Sequence, residues 1–94
     1  PPMASVVLTR HLHSYFPALA GQDLRVEAAT VAEVVQAMED LAPGMAFYVC
    51  DEAGRLRTHV NIFVDGKRIS DRSRLSDPVG AQSEVYILQA LSGG

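Results

Sequence analysis

The chain has 94 residues, 48% of them hydrophobic and 20% charged, with a formal charge of −3 and a single cysteine. Its length favours one domain, and its composition is that of a globular protein, far from the polar, aliphatic-poor signature of disorder. The acidic balance argues against an electrostatic nucleic-acid binder; no apolar run approaches the roughly 20 residues of a bilayer span; and one cysteine excludes an internal disulfide or a multi-thiolate zinc site.

The N-terminus lacks the basic-then-apolar layout of a secretory signal, so a soluble, cytoplasmic protein without a membrane or nucleic-acid partner is expected. Charge is unevenly placed. Six of the eight basic residues, Arg55, Arg57, Lys67, Arg68, Arg72 and Arg74, fall in a stretch whose acidic residues are Asp65 and Asp71. Such a stretch is either a solvated face or an electrostatic docking surface for an acidic partner.

Residues 5–12, SVVLTRHL, are rich in β-branched and apolar side chains. They read as a first strand, with Val6, Leu8, Arg10 and Leu12 facing one way and Val7, Thr9 and His11 the other. HSYFPALAGQD carries Pro17 and Gly21 and reads as a connection whose Tyr15 and Phe16 tuck onto the core. In DLRVEA, Leu24 and Val26 alternate with Arg25 and Glu27, giving a second, half-buried strand paired to the first as a hairpin.

TVAEVVQAMEDLAPG predicts a helix. Thr30 is placed to cap it, with Glu33 as the other half of a capping box. Val31, Val34, Val35, Met38, Leu41 and Ala42 recur at spacings of three and four as one apolar stripe, and Pro43-Gly44 ends it. MAFYVCDEAGRLRT reads as a loop-rich insertion with some strand and a turn at Asp51 to Gly54. In HVNIFVDGKRI, Val60, Ile62 and Val64 alternate with Asn61, Phe63 and Asp65, and Asp65-Gly66 signals a tight turn before a short returning strand. SDRSRLSDPVGAQ is loop or a brief helical turn holding Leu75 inward. SEVYILQAL is the last strand, alternating Val85 and Ile87 with Tyr86 and Leu88. The order predicts an α+β protein: a mixed sheet of four to five strands with one main helix packed on one face, the other face left to solvent or partners.

Candidate chemistry is sparse. Cys50 follows an apolar run and reads as a buried, inert thiol. His11, His13 and His59 invite a zinc reading, but without a thiolate or carboxylate pattern they read as surface histidines, and no metal is expected. Glu39-Asp40 and Asp51-Glu52 are adjacent pairs explained by a helix end and a turn. PVGAQ lacks the lysine and spacing of a phosphate loop, and no base or nucleophile pair supports catalysis.

HVNIFVDGKRI, the loop with Pro78 and Gly80, the order of elements and above all the closing EVYILQALSGG resemble the ThiS/MoaD family of ubiquitin-like sulfur carriers. The resemblance runs from Ser5 onward and implies the β-grasp fold. The longer middle, DEAGRLRTHVNIFVDGK, is more similar to the longer members, including carriers that feed cysteine synthesis. The resemblance implies a co-substrate and not an enzyme, with no bound cofactor. The carboxylate of Gly94 would be adenylated by an ATP-using, ubiquitin-activating-like enzyme. Conversion to a thiocarboxylate would follow, and a synthase of the molybdopterin, thiamin or cysteine type would accept the sulfur. Leu91, Ser92 and Gly93 would form a flexible tail over residues 91–94. Glycines suit such a tail, because a Cβ adds width and restricts φ. The alternative is a ubiquitin-like modifier joined through Gly94 to target lysines; a third reading is a β-grasp binding domain with an incidental tail.

A carrier must offset the ordering of its tail by docking its folded part. If Val60, Ile62 and Val64 face the helix, Phe63, Tyr86 and Leu88 face outward as an interaction patch, with Arg57, Lys67 and Arg68 as its rim. The competing arrangement folds residues 44–58 over that face.

Overall fold

The structure, a computed structural model, describes residues 3–9, 12, 15–19 and 23–89. Five strands, β1 (Ala4–Leu8), β2 (Leu24–Val26), β3 (Val60–Val64), β4 (Lys67–Arg68) and β5 (Glu84–Gln89), form one sheet in the order β2-β1-β5-β3-β4. β1 and β5 run parallel at the centre, and the remaining neighbours are antiparallel. Helices α1 (Val31–Leu41) and α2 (Met45–Val49) follow β2, and a 3₁₀ turn spans Pro17–Leu19.

β1 ends at Leu8, four residues before the strand end expected from SVVLTRHL. Leu12 is fully buried but helical and not extended: its N–H reaches Thr9 O at 3.0 Å and its carbonyl accepts from Phe16 N, four residues on, at 2.9 Å. A spacing of four keeps Leu8 and Leu12 on one face in a strand and in a helix alike, so alternation alone does not separate the two. Val6 and Leu8 point into the core and Val7 is exposed, as the alternation requires. His11 and His13 lie outside the described residues.

α1 starts where the sequence places it. Thr30 Oγ1 accepts from Glu33 N at 3.3 Å, while Glu33 Oε1 reaches back to Ala29 N at 2.8 Å, one residue before the cap. The first two helical amides, Val31 N and Ala32 N, donate to Asp77 O and Leu75 O of the loop before β5. Three of the four donors that a helix start would leave orphaned are thereby used. Val31, Val34, Val35, Met38 and Ala42 are buried, but Leu41, expected in the same stripe, is exposed. At 3.6 residues per turn it lies about 80° from the stripe's centre, past the margin that the sheet covers.

Residues 45–49 form a helix and not the loop and strand expected from MAFYVC. Gly44, at φ +102°, turns the chain at its start, and Glu39 of α1 accepts from Gly44 N and from Ala46 N at 2.8 Å. Those two amides hold the Glu39 carboxyl below its usual range, Ala46 contributing most. A carboxylate on one helix thus caps the next, overriding the strand propensity of Phe-Tyr-Val.

Asp65 (φ +51°) and Gly66 (φ +85°) make the tight turn between β3 and β4, both in the left-handed region that the right-handed twist of a hairpin selects. The core is a single cluster between sheet and helices: Val6, Leu8, Val26, Val60, Ile62, Val85 and Ile87 from the strands meet Val34, Met38, Met45 and Val49 from the helices.

Candidate functional site

The register assembles the face of the sheet that points away from α1. Tyr86 of β5 stands between Val7 of β1 and Phe63 of β3, and Phe63 is opposite Arg68 of β4. Directly opposed residues share a face, so Val7, Tyr86, Phe63 and Arg68 form one row across four strands. Leu88, paired with Asn61, lies in the next row. A shallow groove of about 490 Å³ on this face is lined by Phe63, Asp65, Gly66, Glu84, Tyr86 and Leu88. The three residues expected to form a patch are therefore brought together, each half-buried against its neighbours.

The insertion does not cover them. α2 packs against α1, on the helix side. Phe47 of α2 is exposed there, and Tyr48 is wedged among Tyr15 and Phe16.

Of the three basic residues expected at the rim, Arg68 is there, its guanidinium 5.7 Å from the centre of the Phe63 ring. Lys67 is opposite Val64, which packs against the core, so the register directs it to the helix side. Arg57 stacks 4.8 Å over the Phe47 ring and donates from Nε to Phe47 O at 2.9 Å, so its side chain belongs to α2. The correction for both has one cause: charge clustered in sequence is divided by the pleat and by a helix that the sequence did not reveal.

Arg72 takes the place at this rim that the sequence reading missed. Its guanidinium spans Asn61 Oδ1 at 3.2 Å, Arg57 O at 2.7 Å and Val60 O at 2.9 Å, satisfying two carbonyls beside the start of β3. Its membership of the basic stretch was the only signal available.

At the start of β5, Asp65 ties the β3–β4 turn to the neighbouring strand. Its carboxylate accepts from Glu84 N at 2.9 Å and from the Ser83 hydroxyl at 2.8 Å, and these bonds, Glu84 first, hold it below the ordinary carboxylate range. At the other end, β5 leads toward residues 90–94. Leu91, Ser92, Gly93 and Gly94, the expected tail and its reacting end, lie outside the described residues.

The other candidates resolve into structure. Cys50 is buried, and desolvation first, then Asp51, pushes its thiol pKa up, with Arg57 opposing. A thiol so placed is a poor nucleophile at neutral pH. Asp51 folds onto its own turn, accepting from Ala53 N and Arg55 N. Among the described residues no three His, Cys, Asp or Glu side chains gather as a metal site, and no helix is long and apolar enough to cross a membrane.

No protein-family model matches the chain, and no curated protein is significantly similar to it in sequence. Solved structures are similar in fold. Small archaeal modifier protein 1 from Haloferax volcanii is 22% identical with a TM-score of 0.78, the match covering 98% of this chain and 99% of that one. CysO from Mycobacterium tuberculosis is 23% identical with a TM-score of 0.79, covering 94% of this chain and 99% of that one. CysO from Amycolatopsis orientalis, solved in a BexX/CysO complex, is 23% identical with a TM-score of 0.77, covering 97% and 99%. A five-stranded mixed sheet under a main helix, with these structural neighbours, gives the chain the ubiquitin-like β-grasp fold that its sequence resemblance implied.

Proposed function

We propose that this chain is a ubiquitin-like sulfur carrier that docks through the Phe63, Tyr86 and Leu88 face and presents the carboxylate of Gly94 to an adenylating enzyme. The observation that carries the reading is that β5 does both jobs. It contributes Tyr86 and Leu88 to the apolar face of the sheet away from the helices, and residues 91–94 follow it in sequence. A partner that grips this face holds the strand from which that segment continues.

The chemistry needs that partner. A carboxylate ionised at neutral pH is a poor electrophile. One of its oxygens would attack the α-phosphorus of ATP, expelling pyrophosphate and leaving an acyl–AMP anhydride. A sulfide-level nucleophile then attacks the carbonyl carbon, the bond to AMP breaks, and a thiocarboxylate remains for a synthase to use. ATP belongs to the partner; nothing in this chain is asked to bind it.

The likeness to small archaeal modifier protein 1 favours a second reading, in which a lysine amine of another protein captures the activated Gly94 as an isopeptide. Intact-protein mass spectrometry of the chain from its host separates them. A mass gain equal to replacing one oxygen by sulfur supports the carrier, and a ladder of heavier conjugates supports the modifier. A native population showing neither, with adenylation absent in the host extract, would sink both.

A further inference from the structure

The end of β5 is held unevenly. β1 accompanies it only to Leu8, opposite Ile87, and closes with Thr9 N donating to Ile87 O at 3.3 Å. Among the described residues, Leu88 and Gln89 continue against β3 alone, opposite Asn61 and Val60. A strand end with one neighbour frays more readily than one held on both sides. At this point α2 reaches across: the Tyr48 hydroxyl donates to Gln89 Oε1 at 2.8 Å, a bond between residues 41 apart in sequence.

The donor is itself fixed. The Tyr48 ring is 5.1 Å from that of Tyr15 and edge-on to that of Phe16 at 5.7 Å. Its helix is capped by Glu39 and held by Arg57, whose N–H donates to Val49 O and whose Nε donates to Phe47 O. The insertion is thus braced on both sides of one hydroxyl, and that hydroxyl grips the last residue of β5.

The geometry points to Tyr48 as a positioning residue that anchors Gln89 and so sets where residues 90–94 leave the domain toward the partner. The assignment rests on the carrier reading, since it concerns delivery of the same segment. At about 3.3 to 3.6 Å per residue those five residues span roughly 17 Å when extended, so the root of the segment governs which site it reaches. Each backbone residue already ordered before docking spares the partner about five- to thirtyfold in affinity. The sheet face supplies contact; the Tyr48 bond supplies a fixed starting point.

Tyr48→Phe tests this, because it removes the hydroxyl and keeps the ring. Hydrogen exchange on the full chain should show the Leu88 and Gln89 amides exchanging about two- to tenfold faster, the range expected for one lost hydrogen bond, with the core unaffected and Tm nearly unchanged. In ATP–pyrophosphate exchange with the host's adenylating enzyme, KM for the carrier should rise by a similar factor while kcat holds. Gln89→Leu should behave alike, and the double variant should be no worse than either single one. Faster exchange throughout with a lowered Tm would make Tyr48 an ordinary core residue and overturn the assignment. So would an unchanged KM, with or without local loosening. If the wild-type chain supports no pyrophosphate exchange, the carrier reading fails and the positioning role with it, whereas hydrogen exchange still decides whether the Tyr48 anchor exists.

Discussion

Phe63 and Tyr86 are direct cross-strand partners between β3 and β5, and both stand on the face of the sheet away from α1. Aromatic pairs in this arrangement contribute to sheet stability, yet an apolar pair at the centre of an uncovered face is also where a docking interface concentrates its energy. Phe63→Ala should therefore cost the fold only about 0.2 to 1 kcal/mol, the range for a cross-strand pair. It should raise KM for the carrier in pyrophosphate exchange about tenfold or more, as truncating an interface anchor does. Thermal melts and the exchange assay read the two effects separately. An unfolded variant, or one activated as well as the wild type, would remove Phe63 from the interface.

Acid should destabilise the protein through the loop before β5. Asp71 accepts from Ser73 N, Arg74 N, Ser76 N and the Ser76 hydroxyl, and the hydroxyl bond, the largest cause, with the amides lowers its pKa from 3.8 to about 2. A carboxyl lowered on folding stabilises the native state above its ordinary value, and that contribution is lost as the pH falls from about 4 through about 2. Urea midpoints measured from pH 6 to pH 2 should fall across this window. They should fall less for Asp71→Asn, which is also less stable at pH 7, and Ser76→Ala should shift the wild-type window toward higher pH. Equal pH dependence in all three proteins would show that Asp71 does not carry the effect.

Gly66 sits at φ +85° with no atom within 4 Å of where a Cβ would be. Substitution by alanine meets no clash, so its cost is that of holding an L-residue in the left-handed region, about 1 to 2 kcal/mol. Chemical denaturation should report a loss of that size with an unchanged m-value. A neutral substitution would mean that the hairpin relaxes to another turn.

Glu39→Ala should loosen α2 selectively. With the capping carboxylate gone, Gly44 N and Ala46 N lose the acceptor that Glu39 gives them, and a five-residue helix has little stability of its own. Hydrogen exchange should accelerate in residues 44–50 before it does in α1. Uniform acceleration would show instead that the two helices open as one unit.

The sequence was most legible where local chemistry and burial agree. Thr30 and Glu33 mark a helix start by themselves, and Asp65-Gly66 marks a hairpin because few residue pairs accept two consecutive positive φ angles. Strict alternation in β3 and β5 placed Phe63, Tyr86 and Leu88 on one outward face. Reading failed where the deciding partner is distant. α2 forms because Glu39, several residues earlier, caps it, and strand-like residues give no sign of that. Leu12 fits strand and helix equally well.

By itself the sequence determined the periods of its helix and strands, the tight turn, the resemblance to ubiquitin-like carriers and which side chains of β3 and β5 point the same way, since each follows from spacing or from a backbone preference of one or two residues. Only the tertiary structure decided how those faces combine: that β5 lies between β1 and β3, bringing Val7 and Phe63 to either side of Tyr86. The same folding carried Arg57 off to α2, Arg72 to the rim and the Tyr48 hydroxyl to Gln89. Long-range register and caps are contracts between residues tens of positions apart, and no local pattern in the chain records them.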